Sequence, residues 1–258
     1  MPHLSRKGPA MSTIRQVASG VHLVELAHVN CYLIEDDDGV TLVDTGLPDH
    51  WRGIQQALRH MGKTPGDVRA VVLTHAHFDH MGTAQRWQQE MRVPMWIHDE
   101  EMYLAAHPYR YAHENPRALY PLRHPRAVPI LFAIARHGAL RVKGVDGLNT
   151  LAAGEGLDVP GRPRPVFSPG HTHGHCAFHL PDRDAIITGD ALVTLDPYTA
   201  QRGPRIVAGA ATADSDQALR SLEALAQTGA TYVLPGHGEM WNGGIVAAVQ
   251  QAVAAGRA

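Results

Sequence analysis

Between Gln16 and Asp44 apolar residues alternate with polar ones or run on in β-branched stretches, over 21–26, 30–34 and 40–44, with Asp36-Asp37-Asp38-Gly39 as a turn between the last two. Period-two runs separated by turn residues predict an antiparallel meander. The period then lengthens: Ile54, Leu58 and Met61 recur at helical spacing, behind the candidate N-cap Asp49 and ahead of Gly62, which suits a helix stop. A short apolar strand at 69–74 ends in a cluster of histidines, and residues 82–89 and 99–106 read as helices on either side of a strand at 93–97. Strands resume at 165–168, 176–180 and 185–188. Leu219, Leu222 and Leu225 then line one face of a helix opened by Asp214 and Gln217 and closed by Gly229, before a final strand at 231–234 and a final helix at 244–255. Two successive halves of strands followed by helix, with no internal repeat, predict an α/β domain in which sheets are faced by helices.

Two stretches depart from this alternation. The first ten residues are polar, with Pro and Gly, and Met11 offers an alternative start, so residues 1–15 are expected to be a disordered leader to a single domain at 16–258. The other stretch, about 102–145, predicts a helical basic insertion. From His107 to Lys143 it carries seven Arg or Lys residues against one acid, Glu114, in a chain whose 23 basic and 25 acidic residues leave a net charge of −2. Its apolar run at 128–135 is expected to be a buried helix or a homodimer surface ahead of a substrate wall.

With 258 residues, 44% of them hydrophobic, the chain has length for a sizeable core. No run approaches the roughly 18 apolar residues of a membrane span, and the first residues lack the apolar centre of a signal peptide. A cytoplasmic protein without a membrane partner is expected. Near-neutral charge argues against nucleic-acid binding by phosphate neutralisation. Cys31 and Cys176 stand in no metal or redox spacing, and Cys176 is expected to be a buried strand thiol. What stands out is 18 histidines, the commonest metal ligand, against 4 Phe and 4 Trp.

The histidines are organised. Thr74-His75-Ala76-His77-Phe78-Asp79-His80 puts four potential ligands in six residues at a strand end. The alternate spacing of His75, His77 and Asp79 suits an extended chain that points them one way, with His80 pointing away from them. Three further strand-end motifs follow: Pro169-Gly170-His171-Thr172, Thr188-Gly189-Asp190 and Pro235-Gly236-His237-Gly238. Each has a glycine that lets backbone approach a crowded site. Imidazoles with an open position suit a catalytic metal, and a carboxylate can bridge two. The set His75, His77, Asp79, His80, His171, Asp190 and His237 is enough for two ions and a shared water; zinc is the first expectation for so imidazole-rich a set, with Fe or Mn as alternatives.

These motifs, in this order, with Val43-Asp44-Thr45-Gly46 as a further element, resemble the metallo-β-lactamase superfamily over about residues 16–240. The resemblance implies a four-layered αββα sandwich with metals at the mouth between its sheets. It implies that His75, His77 and His171 hold one ion, that Asp79, His80 and His237 hold the other, that Asp190 bridges them, and that Asp44 orients a ligand imidazole from behind. One departure is His173, where many members have Pro. Ordinary loop or strand histidines are the expectation for His173, His175 and His179.

A hydroxide between two ions would attack a polarised ester, thioester, lactone or phosphoester of a small molecule, with Asp79 orienting it and moving its proton. No Gly-x-Ser-x-Gly elbow offers a serine alternative. Only 21 residues follow His237, so the C-terminal domain of glyoxalase II enzymes is not expected, and spacings of 19 and 47 residues around Asp190 leave no room for the large insert of nucleic-acid-cutting relatives. Arg117 and Arg123 in the basic insertion are candidates for attracting an anionic substrate, and Tyr198 for donating to an oxyanion. Two alternatives stay open: a one-iron oxygenase resembling persulfide dioxygenases, although the Gly-Arg-x-Asp continuation after Thr188-Gly189-Asp190 is missing, and a true β-lactamase.

Overall fold

A computed structural model describes residues 12–151 and 156–257. The expected leader lies outside the described residues up to position 11. Its last part does not, because Thr13 already opens the first strand and the folded domain therefore begins before residue 16.

The meander forms as β1 (Thr13–Ala18), β2 (Val21–Leu26), β3 (Val29–Asp36) and β4 (Gly39–Val43), each antiparallel to the last. Helix α1 (His50–His60) crosses over to β5 (Val68–Val72), parallel to β4, and α2 (Ala84–Gln89) to β6 (Met95–Ile97), parallel to β5. Short helices α3 (Met102–Ala106), α4 (Tyr120–Arg123) and α5 (Val128–Ile134) fill the insertion before β7 (Asn149–Thr150) closes a seven-stranded sheet. The second sheet begins with β8 (Arg164–Phe167), β9 (Cys176–Leu180) and β10 (Ala185–Gly189). A ribbon of β11 (Val193–Leu195) and β12 (Arg202–Arg205), then α6 (Ser215–Ala226), leads to β13 (Tyr232–Pro235), which pairs parallel with β10, and α7 (Ile245–Ala255) follows.

Side-chain alternation explains the layering. In β3, Cys31 and Leu33 point to one face and pack with Ile54, Leu58 and Trp87 of α1 and α2. Tyr32 and Ile34 point to the other and meet Phe178, Leu180, Ile187 and Leu234 of the second sheet. In that sheet Ala177 and Ile186 turn outward to Leu222 and Leu225 of α6 and Ala248 and Ala252 of α7. The order is helix, sheet, sheet, helix: an αββα sandwich. Strands buried on both faces read as continuous apolar runs, which is why 30–34 showed little alternation. Each fully buried large side chain at the sheet–sheet interface contributes about 1.5–3 kcal/mol, so a charge at Ile34 would open the sandwich.

Some local expectations are corrected. Asp49 sits at the start of α1 but makes no side-chain cap; its Oδ2 lies 3.0 Å from His137 Nδ1 and ties down the end of the insertion. By contrast, Asp214 Oδ1 accepts the Gln217 N–H at 2.8 Å, and Gly62 adopts φ +70° where α1 stops. In the 128–135 run, Ile130 and Ile134 are buried against Val29, Leu47 and Leu195, whereas Val128 and Phe132 face solvent. Cys176 is a buried strand thiol. Among the described residues no helix is long and apolar enough to cross a membrane.

This topology gathers one end of both sheets. Asp44 follows β4, the first histidine cluster follows β5, His171 lies between β8 and β9, Asp190 follows β10 and His237 follows β13. Parallel strands deliver their carboxyl ends to one crevice, where an α/β fold places its chemistry.

Candidate metal centre

The segment after β5 is not the extended chain its spacing predicts. A turn closes with His80 N–H donating to His77 O at 3.0 Å. His80 therefore swings back toward the cluster, its ring 4.3 Å from that of His75. The five imidazoles and two carboxylates of the predicted set are all buried, Asp79 being the most accessible at 8%. They form three overlapping groups whose ligand atoms lie within 4.8 Å of one another: His75, His77 and His171; His75, His80 and Asp190; and Asp79, His80 and His237.

Several of these atoms make no hydrogen bond within the protein. His75 Nε2, His77 Nε2, His80 Nε2 and Asp190 Oδ1 are buried without a hydrogen bond. Asp190 Oδ1 lies 3.4 Å from His80 Nε2, and Asp190 Oδ2 lies 3.5 Å from His171 Nε2 and 3.3 Å from His237 Nε2. His77 Nδ1 is 3.0 Å from His171 Nε2. Two nitrogens around one tetrahedral zinc stand about 3.3 Å apart, so these spacings fit shared ions. Gly236 completes the cradle, because a Cβ there would collide with Asp190 Oδ1. Orphaned donors cost about 1–3 kcal/mol each when buried, and divalent ions would satisfy them together.

Hydrogen bonds behind the ligands set which nitrogen is free. The Thr74 hydroxyl donates to Asp44 Oδ2 at 2.8 Å, so its one proton is committed and His75 Nδ1–H must donate to Thr74 Oγ1 at 2.9 Å. His80 Nδ1–H donates to the same Asp44 oxygen at 3.0 Å, and His237 Nδ1–H to His28 O at 2.7 Å. Thr212 has already given its hydroxyl proton to Val207 O, so it accepts from His171 Nδ1–H at 3.3 Å. Four imidazoles thus turn Nε2 toward the centre, the arrangement that fixes a metal ligand. Asp44 performs this at φ +56°, a left-handed conformation that Asp and Asn tolerate better than other side chains.

The metal-free electrostatics divide the set. Burial and neighbouring imidazoles hold His75 and His77 well below the usual histidine range, and His171 falls to about 4, where burial outweighs Asp190. Burial acts the same way on His80 and His237, but Asp190 reverses it in both; with Asp79 helping, His237 rises to about 10. Asp190 is itself held well below the carboxylate range, because His237 and His80 overcome its burial.

The remaining candidates lie further out. Arg117 spends its guanidinium on Ala210 O, on Tyr111 O and on the Tyr111 ring, 3.9 Å from its centroid. Arg123 is exposed, on a cavity of about 400 Å³ that it lines with His124, Arg126 and Thr199. The Tyr198 hydroxyl lies 3.4 Å from that of Tyr111, and it is Tyr111 whose ring packs on His77 at 4.1 Å. His173 and His179 lie outside the donor groups, His173 exposed and His179 half-buried.

Three contributors escaped the sequence reading. Tyr111 carried no motif. His175 is no ordinary loop histidine: fully buried, it accepts the Asp190 backbone N–H on Nε2 at 3.1 Å and reaches Ser168 Oγ with Nδ1 at 2.9 Å. Its place four residues after His171 was the available signal. Glu101, 1% exposed, accepts Ala76 N–H and Gly174 N–H, each at 2.9 Å. Nothing in Asp99-Glu100-Glu101 marks it out from a solvated helix start.

Two sheets faced by helices, with imidazoles and carboxylates converging at one end, define a metal-site sandwich protein. The sequence profile of the metallo-β-lactamase superfamily matches residues 24–237, and the chain belongs to that superfamily. It is 28% identical over 222 residues to the uncharacterized protein YobT of Bacillus subtilis (strain 168), covering 82% of this chain and 83% of that one. It is also 28% identical over 189 residues to the probable metallo-hydrolase YflN of the same organism, covering 70% and 67%. The metallo-beta-lactamase family protein TTHA1429 from Thermus thermophilus superposes with a TM-score of 0.66 at 26% identity, over 90% of this chain and 78% of that one. TTHA1623, solved in a di-iron-bound form, gives 0.56 at 25% identity, over 83% and 89%.

Proposed function

We infer that this protein is a metal-dependent hydrolase of a small-molecule ester, thioester, lactone or phosphoester, working with two divalent ions. The observation that carries the reading is the convergence of buried donor atoms into two trios, His75/His77/His171 and Asp79/His80/His237, with Asp190 within 3.5 Å of members of both and with His75, His77, His80 and Asp190 each keeping one atom without a hydrogen bond. The name of the relative YflN, a probable metallo-hydrolase, supports the reaction class. Zinc suits an imidazole-rich set, and the di-iron form of TTHA1623 supports iron as the alternative. A one-iron oxygenase would need two His and one Asp only, and would leave the other trio without a task.

Bound ions would supply a water acidified to near-neutral pKa and a Lewis acid for the scissile carbonyl or phosphoryl oxygen. The chain's own residues do the rest. Asp79, the most accessible of the set and held as a carboxylate against its burial chiefly by His237 and His80, orients the attacking water and accepts its proton. Tyr111 and Tyr198 stay protonated, because burial raises both phenols. Their mutual hydrogen bond uses one of two hydroxyl protons, and the second is free to donate to an oxyanion.

Arg123 and Arg126 make no ion pair among the described residues and face one cavity with His124 and without an acid. They favour an anionic substrate, while Arg117, committed to backbone carbonyls, shapes the wall. The test is a panel of chromogenic esters, thioesters, lactones and phosphodiesters, each in neutral and carboxylate-bearing form, run with and without a chelator. Turnover abolished by chelation and restored by zinc, manganese or iron is expected. R123Q/R126Q should raise KM for the anionic member of a pair by about three- to tenfold, the scale of exposed charge contacts, and leave its neutral twin unchanged. Turnover indifferent to chelation would contradict the hydrolytic reading, and equal KM effects on both twins the anionic substrate.

A further inference from the structure

His75 and His77 follow a strand of the first sheet, whereas His171 hangs from the turn between two strands of the second. The first trio therefore exists only if two loops from different sheets keep a fixed separation. One backbone bond, Cys176 N–H to Thr74 O at 2.9 Å, joins these segments at their strand ends. At the ligands themselves the connection is made by Glu101. Its Oε2 accepts the N–H of Ala76, between His75 and His77, and its Oε1 accepts the N–H of Gly174, three residues past His171, both at 2.9 Å.

We propose that Glu101 is a positioning residue for the first ion alone: its buried carboxylate clamps the two loops so that His171 closes on His75 and His77. Position 174 gives a second, independent sign of this. A Cβ on Gly174 would lie 2.8 Å from Glu101 Cγ, so the absence of a side chain there lets the carboxylate reach the backbone. Only a carboxylate fits between two inward-pointing N–H groups. Glutamine has one acceptor oxygen and would set its amide donor against the other N–H. Asp79, His80 and His237 receive no bond from Glu101, so the second trio should not register its loss.

This inference rests on the two-ion reading, and the test separates the two. Metal-free full-length protein is titrated with zinc against a competing chelator, as wild type and as Glu101→Gln, in two backgrounds: His237→Ala, which leaves the first trio intact, and His171→Ala, which leaves the second. Partners behind metal ligands are worth about 10–100-fold in affinity. That loss is expected for Glu101→Gln in the His237→Ala background, with a change under twofold in the His171→Ala background. A general loosening of the fold would weaken both alike and overturn the proposal, as would no effect in either. Should Glu101→Gln fail to fold, Gly174→Ala, which crowds the carboxylate from the other side, should show the same selectivity. Wild type that binds no zinc would overturn the two-ion reading and this inference with it.

Discussion

The two donor trios of the candidate metal centre both face Asp190 but are built on opposite electrostatic principles. His75, His77 and His171 are three imidazoles that burial keeps neutral, so the first trio holds no imidazolium proton for an ion to displace. In the second trio the imidazoles are ion-paired, His80 with Asp190 and Asp44 and His237 with Asp190 and Asp79, and these carboxylates raise both histidines despite their burial. The first half is held by neutral hydrogen bonds and the Glu101 clamp, the second by charge. On the two-ion reading, one trio would bind an ion without releasing imidazolium protons and the other would exchange protons for metal.

The largest effect should come from removing Asp190, which faces both trios. Asp190→Ala should weaken uptake of both ions and lower hydrolysis by about 10³-fold or more, as read by metal analysis and kcat/KM; loss of a single ion would mean that Asp190 belongs to one half only. Asp44→Asn separates the halves. The left-handed backbone tolerates Asn, so the change tests charge and acceptor geometry without added strain. Asp44 touches His80 directly and His75 only through Thr74. Affinity for the second ion should fall by about 10–100-fold and for the first by less; the reverse order in a chelator competition would sink this division.

Proton competition gives the gentlest contrast. A histidine whose metal-free pKa is raised must lose its proton to bind, so acid weakens its site; His237, raised to about 10, carries this dependence through the whole neutral range. His171, lowered to about 4, is already deprotonated there. Between pH 6 and 8, affinity for the second ion should climb by about tenfold or more per pH unit, while affinity for the first stays nearly level. Parallel slopes in zinc titrations at several pH values would contradict the difference.

The candidate donors were legible in the sequence because each lies in a short motif at a strand end, with an adjacent glycine at His171, Asp190 and His237. The pattern predicted sheets faced by helices and the family resemblance the four layers; the burial of both Leu33 and Ile34 shows the first sheet covered on both faces. What stayed hidden depends on partners far along the chain. Glu101 is buried by Gly174, 73 residues on, and Asp49 is drawn from its helix by His137, 88 residues on. His80 was expected to point away because alternation was applied to a segment that turns. His175 stands three residues past the Pro169–Thr172 motif, but only the packing of β9 against β10 shows that it receives the backbone N–H of Asp190.

The central claim is that catalysis needs both halves filled. Metal-free protein should be titrated with zinc, or with whichever metal gives turnover, and hydrolysis of the best substrate from the panel followed against equivalents bound per chain. Activity should stay low through the first equivalent, rise through the second and level at two; full activity at one equivalent, with no gain from another, would refute a two-ion mechanism.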